Sequence, residues 1–271
     1  MIDMKALFRR GVSRNRVGGT AGPPPRATLL RVDLGGQDCV VTLRRSLRSR
    51  RLTLRLSNAT GAVTVTAPPQ LRLSAITAFI DRHRPWIVER LTRQPQRLRF
   101  TDGAVVPLRG IPHRLRESGD YRGRVQVEEG EYPCLVIPGD TPHVERRLVD
   151  FLKAEARRDL ERAVATYTAL TGTSAARLVL RDGSSRWGSC AANGALSFSW
   201  RLILAPPLVL DYVAAHEVAH LKHMNHGPNF WRLLNEICPG TAAAKAWMSA
   251  NGASLHAYGP PPGPRRAVPP A

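Results

Sequence analysis

His216-Glu217-Val218-Ala219-His220, followed by His226, is the stretch on which this chain is read. Two imidazoles four residues apart share one face of a helix, and a carboxylate directly after the first lies beside them. At about 100° per residue, His220 falls roughly 40° and Glu217 about 100° from His216. Val209, Tyr212 and Val213 share that sector, and Leu210, Ala214, Val218 and Leu221 make the far side apolar too. Only Asp211 and Lys222 form a polar strip, so the helix is expected to be buried nearly all round. Imidazoles and a carboxylate in such surroundings are costly unless compensated, and one zinc ion would compensate them directly. The competing reading is a pair of hydrogen-bonded core histidines with Glu217 in an ion pair.

A metal site of this kind needs a third protein ligand and an open position for water. His226 lies just past the helix, in His223-Met224-Asn225-His226-Gly227-Pro228, where the chain can turn back. Asn225 tolerates a left-handed backbone and is expected to supply that turn. Glu236 on the following helix is the alternative ligand, with His223 and His256 behind it. A zinc ion on His216, His220 and His226 would acidify a water, and Glu217 would take its proton as the water attacks a carbonyl. Substrate would lie extended along an edge strand, either Ala195–Leu204 or the Arg186–Cys190 segment.

Outward from the motif, Pro206-Pro207 open its helix, since first-turn amides need no partner. Before them Leu196, Phe198, Trp200, Leu202 and Leu204 alternate with Ser197, Ser199, Arg201 and Ile203, which predicts one long strand over Ala195–Leu204 after an Asn193-Gly194 turn. A long amphipathic helix from about Pro142 to Leu170 closes at Gly172. The chain between 28 and 138 reads as short alternating strands, with a helix from Ser74 that restarts at Pro85. The predicted organisation is a disordered basic leader at 1–27, a β-rich region at 28–138, a catalytic half at 139–258 and a Pro-rich disordered tail at 259–271. The fold class is α+β.

The net charge of +19 invites a nucleic-acid reading, but its distribution restrains it. Residues 1–55 hold 13 Lys/Arg against 3 Asp/Glu, whereas 144–258 hold 13 against 9, so the excess lies away from the motif. The arginines of 44–55 could contact a nucleotide or nucleic acid, and equally form a solvated sheet edge. Four scattered cysteines without a CxxC pair suit a reducing, cytoplasmic compartment. No apolar run is long enough for a membrane span, and the longest is broken at Pro206-Pro207.

Ser185-Arg186-Trp187-Gly188-Ser189-Cys190, Leu196 through Leu202, and His216-Glu217 through His226-Gly227-Pro228-Asn229-Phe230-Trp231 together resemble the YgjP-like metallopeptidase family, related to SprT-like zincins. The likeness runs from about Leu43 to Tyr258. It implies a zincin-like catalytic half with its active-site helix beside a small sheet, zinc on His216, His220 and His226, Glu217 as general base, a polypeptide substrate and cytoplasmic residence. A nucleoside triphosphate (UTP) pyrophosphatase using the same metal site is the first alternative, and a nucleic-acid-associated protein with a structural metal the second.

Overall fold

The computed structural model describes residues 28–36, 38–57, 60–92, 97–183 and 186–260. The predicted leader at 1–27 lies outside these, as does 261–271 of the predicted tail. The described residues part into two compact units, one holding 28–92 and the other 97–260.

The first unit begins with β1 (Thr28–Asp33), β2 (Asp38–Arg45), β3 (Thr53–Leu56) and β4 (Val63–Ala67), in sheet order β1-β2-β4-β3. Strands β2 and β4 are parallel and the outer pairs antiparallel. Alternation sends Val41, Leu43, Val63, Val65 and Ala67 to one face. They are buried there in one cluster with Ile76 and Ile80 of α1 (Leu73–Arg82) and Ile87 of α2 (Arg84–Thr92). The helical pattern breaks at His83, one residue before the turn that contains Pro85, because proline is tolerated only at a helix start. Arg45 differs from the expected solvated edge. Its Nη1 donates to the carbonyls of Pro68, Pro69 and Leu71 and fastens the connection to α1.

The second unit opens with β5 (Val105–Leu108), β6 (Ile111–Glu117), β7 (Gln126–Glu128) and β8 (Cys134–Ile137), ordered β5-β6-β8-β7. Then come α3 (Thr141–Thr171), closed by Gly172 at φ +62°, and a second sheet of β9 (Arg177–Arg181), β10 (Gly188–Cys190) and β11 (Ala195–Ser199) in the order β10-β11-β9. The helices α4 (Pro207–Lys222), α5 (Pro228–Ile237) and α6 (Thr241–Asn251) complete it. Leu115, Leu135 and Ile137 share one apolar cluster with Leu148 and Leu152 of α3 and Val209 and Val213 of α4. The sheet at 105–137 therefore belongs to the unit that carries the motif, and the boundary expected at 138/139 falls inside that unit. The architecture is α+β with a β-rich N-terminal region. Among the described residues no helix is long and apolar enough to cross a membrane.

The predicted strand Ala195–Leu204 is corrected. Strand β11 stops at Ser199, and Trp200–Leu204 form a 3-10 helix in which all five residues are buried. The Ser199 hydroxyl accepts the Arg201 N–H and turns the chain. The alternation misled because Arg201, counted as polar surface, is fully buried and bound to Asp182.

That 3-10 segment is anchored by the β5–β6 turn. Arg109 (φ +52°) and Gly110 (φ +79°) donate their N–H groups to Ile203 and Leu204 at 2.7 and 3.2 Å. A Cβ at 110 would meet Pro206 at 2.9 Å, so only glycine allows this approach. The Arg109 guanidinium grips Asp159 and Glu155 of α3. The turn that holds the segment leading into α4 is thus itself tied to α3.

Candidate metal centre

Helix α4 is buried at every position from Val209 to His220 except Asp211, as an apolar surface on all sides requires. It is packed by α3, β10, α5, α6 and the 3-10 segment. His216 and Glu217 are at most 1% exposed and His220 8%. Past Lys222 the chain turns through 223–227 and brings back His226, half-buried. Its Nε2 stands 3.0 Å from Nε2 of His216. The ring nitrogens of His216, His220 and His226 all fall within 4.8 Å of one another.

The turn is not made as expected. Asn225 has a negative φ, Arg109 being the one non-glycine residue with positive φ among those described. The return is instead closed by the Gly227 N–H donating to the Asn225 carbonyl at 2.8 Å, after which Pro228 starts α5. Glu236, the alternative ligand, is exposed on α5 and outside the cluster. His223 serves through its main chain: with its proton on Nδ1, His220 donates to the His223 carbonyl at 3.1 Å and keeps a lone pair on Nε2. His256 is elsewhere, stacked on Trp187.

Aromatic rings box the triad. Phe230, fully buried, lies 4.9, 4.6 and 4.7 Å from the rings of His216, His220 and His226. Trp231 stacks on His226 and carries the Lys245 ammonium 4.1 Å from its own ring. Neither role has a sequence signal beyond position: Phe230 and Trp231 follow the motif, and Lys245 is one turn inside α6.

Electrostatics favour donor chemistry. Burial first, then the neighbouring His220, His226 and Lys245, push His216 down to about 2. Burial also lowers His220, to about 4, against the opposing bond to His223. Both rings are therefore neutral near pH 7, with lone pairs available to a cation. Burial pushes Glu217 up to about 8, while the Arg186 charge and the Cys190 N–H work the other way. Its Oε1 is buried with no hydrogen-bond partner among the described residues. A divalent cation beside it would supply the missing counter-charge, so the donor set fits a metal.

Strand β10 passes directly against Glu217 and forms one edge of its sheet, with β11 in the centre. Of the two expected substrate edges, only the Arg186–Cys190 segment has this placement. Cys190 belongs to that strand, and burial raises its thiol to about 11, which leaves it protonated and unsuited to attack.

Comparison with protein families matches residues 50–251 to the YgjP-like, metallopeptidase domain. No curated protein and no solved structure matches the chain. A family whose name denotes a metal-dependent hydrolase agrees with a histidine triad whose ring nitrogens converge around the motif helix. With about three quarters of its length covered by that match (202 of 271 residues), the chain belongs to the YgjP-like metallopeptidase family.

Proposed function

We propose that the protein is a zinc-dependent peptidase built on a zincin-like plan, with His216, His220 and His226 holding one zinc ion and Glu217 acting as general base. The observation that carries this reading is the convergence of three ring nitrogens within 4.8 Å on and just after the helix that carries Glu217, whose buried Oε1 has no hydrogen-bond partner among the described residues. Zinc bound there supplies Lewis acidity, acidifying water and polarising a carbonyl. Glu217 takes the proton of the attacking water on Oε1 and returns it to the departing amine nitrogen. The Arg186 charge favours the ionised, basic form of Glu217 and so opposes its burial. The outer edge of β10 has no strand beside it among the described residues, so an extended peptide can add there by backbone pairing. Recognition of this kind is tolerant of sequence. The four cysteines are free thiols, which supports a cytoplasmic setting.

The test is metal analysis and cleavage of an unfolded protein by wild type, Glu217→Gln and His226→Ala. Wild type should hold about one zinc and cleave. Glu217→Gln should keep the metal and lose roughly 10²–10⁴ in rate, the usual contribution of a general base. His226→Ala should lose metal. Wild-type protein without metal, or full cleavage by Glu217→Gln, overturns the reading.

A further inference from the structure

The first unit carries a charged surface that the metal centre does not use. From Cys39 to Ile80 the sequence holds seven arginines and no aspartate or glutamate. The sheet face opposite α1 and α2 presents Arg31 on β1, Thr42 and Arg44 on β2, Thr64 and Thr66 on β4, and Arg55 on β3. The registers set Thr42 beside Thr64, Thr64 beside Arg55, and Arg44 beside Thr66. Hydroxyls thus form a stripe with guanidinium groups on both flanks.

The turn between β2 and β3 adds Arg48, Arg50 and Arg51, all exposed, around Leu47, which is 92% exposed. These arginines and the three on the sheet form no ion pair among the described residues, in contrast to Arg84, which is paired with Asp81. The nearest acids on the sheet, Asp33 and Asp38, face each other at its opposite end. Asp33 there accepts the N–H groups of Gly35 and Gly36.

We propose that this face binds duplex DNA through its phosphate backbone. Six clustered like charges repel one another, and a line of phosphates relieves the repulsion while accepting bidentate guanidinium and hydroxyl hydrogen bonds. Single strands are held mainly by stacking bases on aromatic rings. The aromatics among the described residues of this unit, Phe79 and Trp86, are on the helices that cover the other face. A membrane interface calls for Trp, Tyr or Phe beside the basic groups, whereas the exposed apolar side chains here are aliphatic and separate, Leu47 on the turn and Leu29 and Val40 on the sheet face. The Leu47-Arg48 tip suits the narrow, strongly negative minor groove of B-form DNA, where arginine and an apolar wedge are both accommodated. The minor groove of A-form RNA is wide and shallow.

The test is fluorescence anisotropy with a short random-sequence duplex of DNA between about 50 and 200 mM salt. Affinity should fall with a log–log slope steeper than about −3. Arg44, Arg48, Arg51 and Arg55 all changed to Gln should weaken binding at least about tenfold and flatten the slope by roughly 3 to 4. The same change at Arg146, Arg157, Arg158 and Arg162, exposed on α3 and equal in total charge, should leave both near wild type. Arg48→Gln alone, on the exposed turn, should flatten the slope by about 0.9, which keeps the test open if the fourfold variant melts early. Absence of binding, equal losses in the two fourfold variants, or equally tight binding to duplex RNA or to phosphatidylserine vesicles overturns the proposal.

Discussion

Gly188 and Glu217 are pressed so close that the strand beside the motif helix admits no side chain: a Cβ on residue 188 would stand 2.6 Å from Oε1 and 2.7 Å from Cγ of Glu217. Gly188→Ala must displace the carboxylate, because the strand is held by its pairing with β11. The three atoms nearest to that methyl all belong to Glu217. Cleavage should fall by roughly a hundredfold, the scale of losing a positioned base, while metal content and melting temperature stay close to wild type. A wild-type rate in this variant would show that Glu217 is not held where the reaction needs it.

His226 is the one member of the triad outside α4, so its orientation depends on what packs against it. Trp231 stacks on its ring at 5.6 Å and 29°. Groups that orient a metal ligand typically contribute tenfold to a hundredfold in affinity. Trp231→Ala should therefore weaken zinc binding at least about tenfold in chelator competition, with the helical circular dichroism intact. Unchanged affinity would mean that Trp231 does not orient the ring.

Arg109 combines an unfavourable backbone conformation with a three-point ion-pair cluster. Its Nε and Nη2 take both oxygens of Asp159 at 2.7 and 2.9 Å, and Nη2 reaches Glu155 at 2.8 Å. Glycine at 109 would relieve the left-handed strain, worth about 1 kcal/mol, yet leave the buried Glu155 with Arg158 alone. Arg109→Gly should destabilise by about 2 kcal/mol in urea unfolding, because stranding a largely buried carboxylate outweighs the relief of strain. A more stable glycine variant would reverse that ranking.

Much of the site was legible because the motif helix states its surroundings twice, in its metal-binding spacing and in its apolar far side. The ring nitrogens of His216, His220 and His226 converge within 4.8 Å, and Glu217 is buried on the same helix. The strands of 28–67 were legible for a similar reason: Leu54 and Leu56, or Val63 and Val65, alternate cleanly with polar neighbours. Trp200–Leu204 were not, since a buried 3-10 turn carrying a buried Arg201 imitates an amphipathic strand. Gly188 stands in a motif of the sequence, yet its reason is tertiary, a close approach between residues far apart in sequence. The Arg109 turn and the Lys245 contact with Trp231 are tertiary in the same sense, and nothing local in the sequence marks them.

His256 offers a test of how acid acts on the fold. It is 6% exposed, stacked on Trp187 at 4.6 Å, and its buried Nδ1 has no hydrogen-bond partner among the described residues. Burial, reinforced by the Arg201 charge and opposed by Asp182, pushes it down to about 4. An unfolded imidazole titrates near 6.5, so the unfolded chain takes up this proton first as the pH falls. The contribution to stability is complete above about pH 6.5 and is lost towards pH 4, by at most about 1.4 kcal/mol per pH unit. His256→Phe keeps the stacked ring and removes the titrating group without breaking a hydrogen bond at Nδ1. Its melting temperature should match or exceed wild type at pH 7, since removing an unsatisfied buried polar atom is neutral or stabilising. Between about pH 6.5 and 4.5 the variant should lose less stability than wild type, by the linkage of about one proton. Parallel acid profiles for the two proteins would show that His256 is charged, or free to reach water, in the folded state.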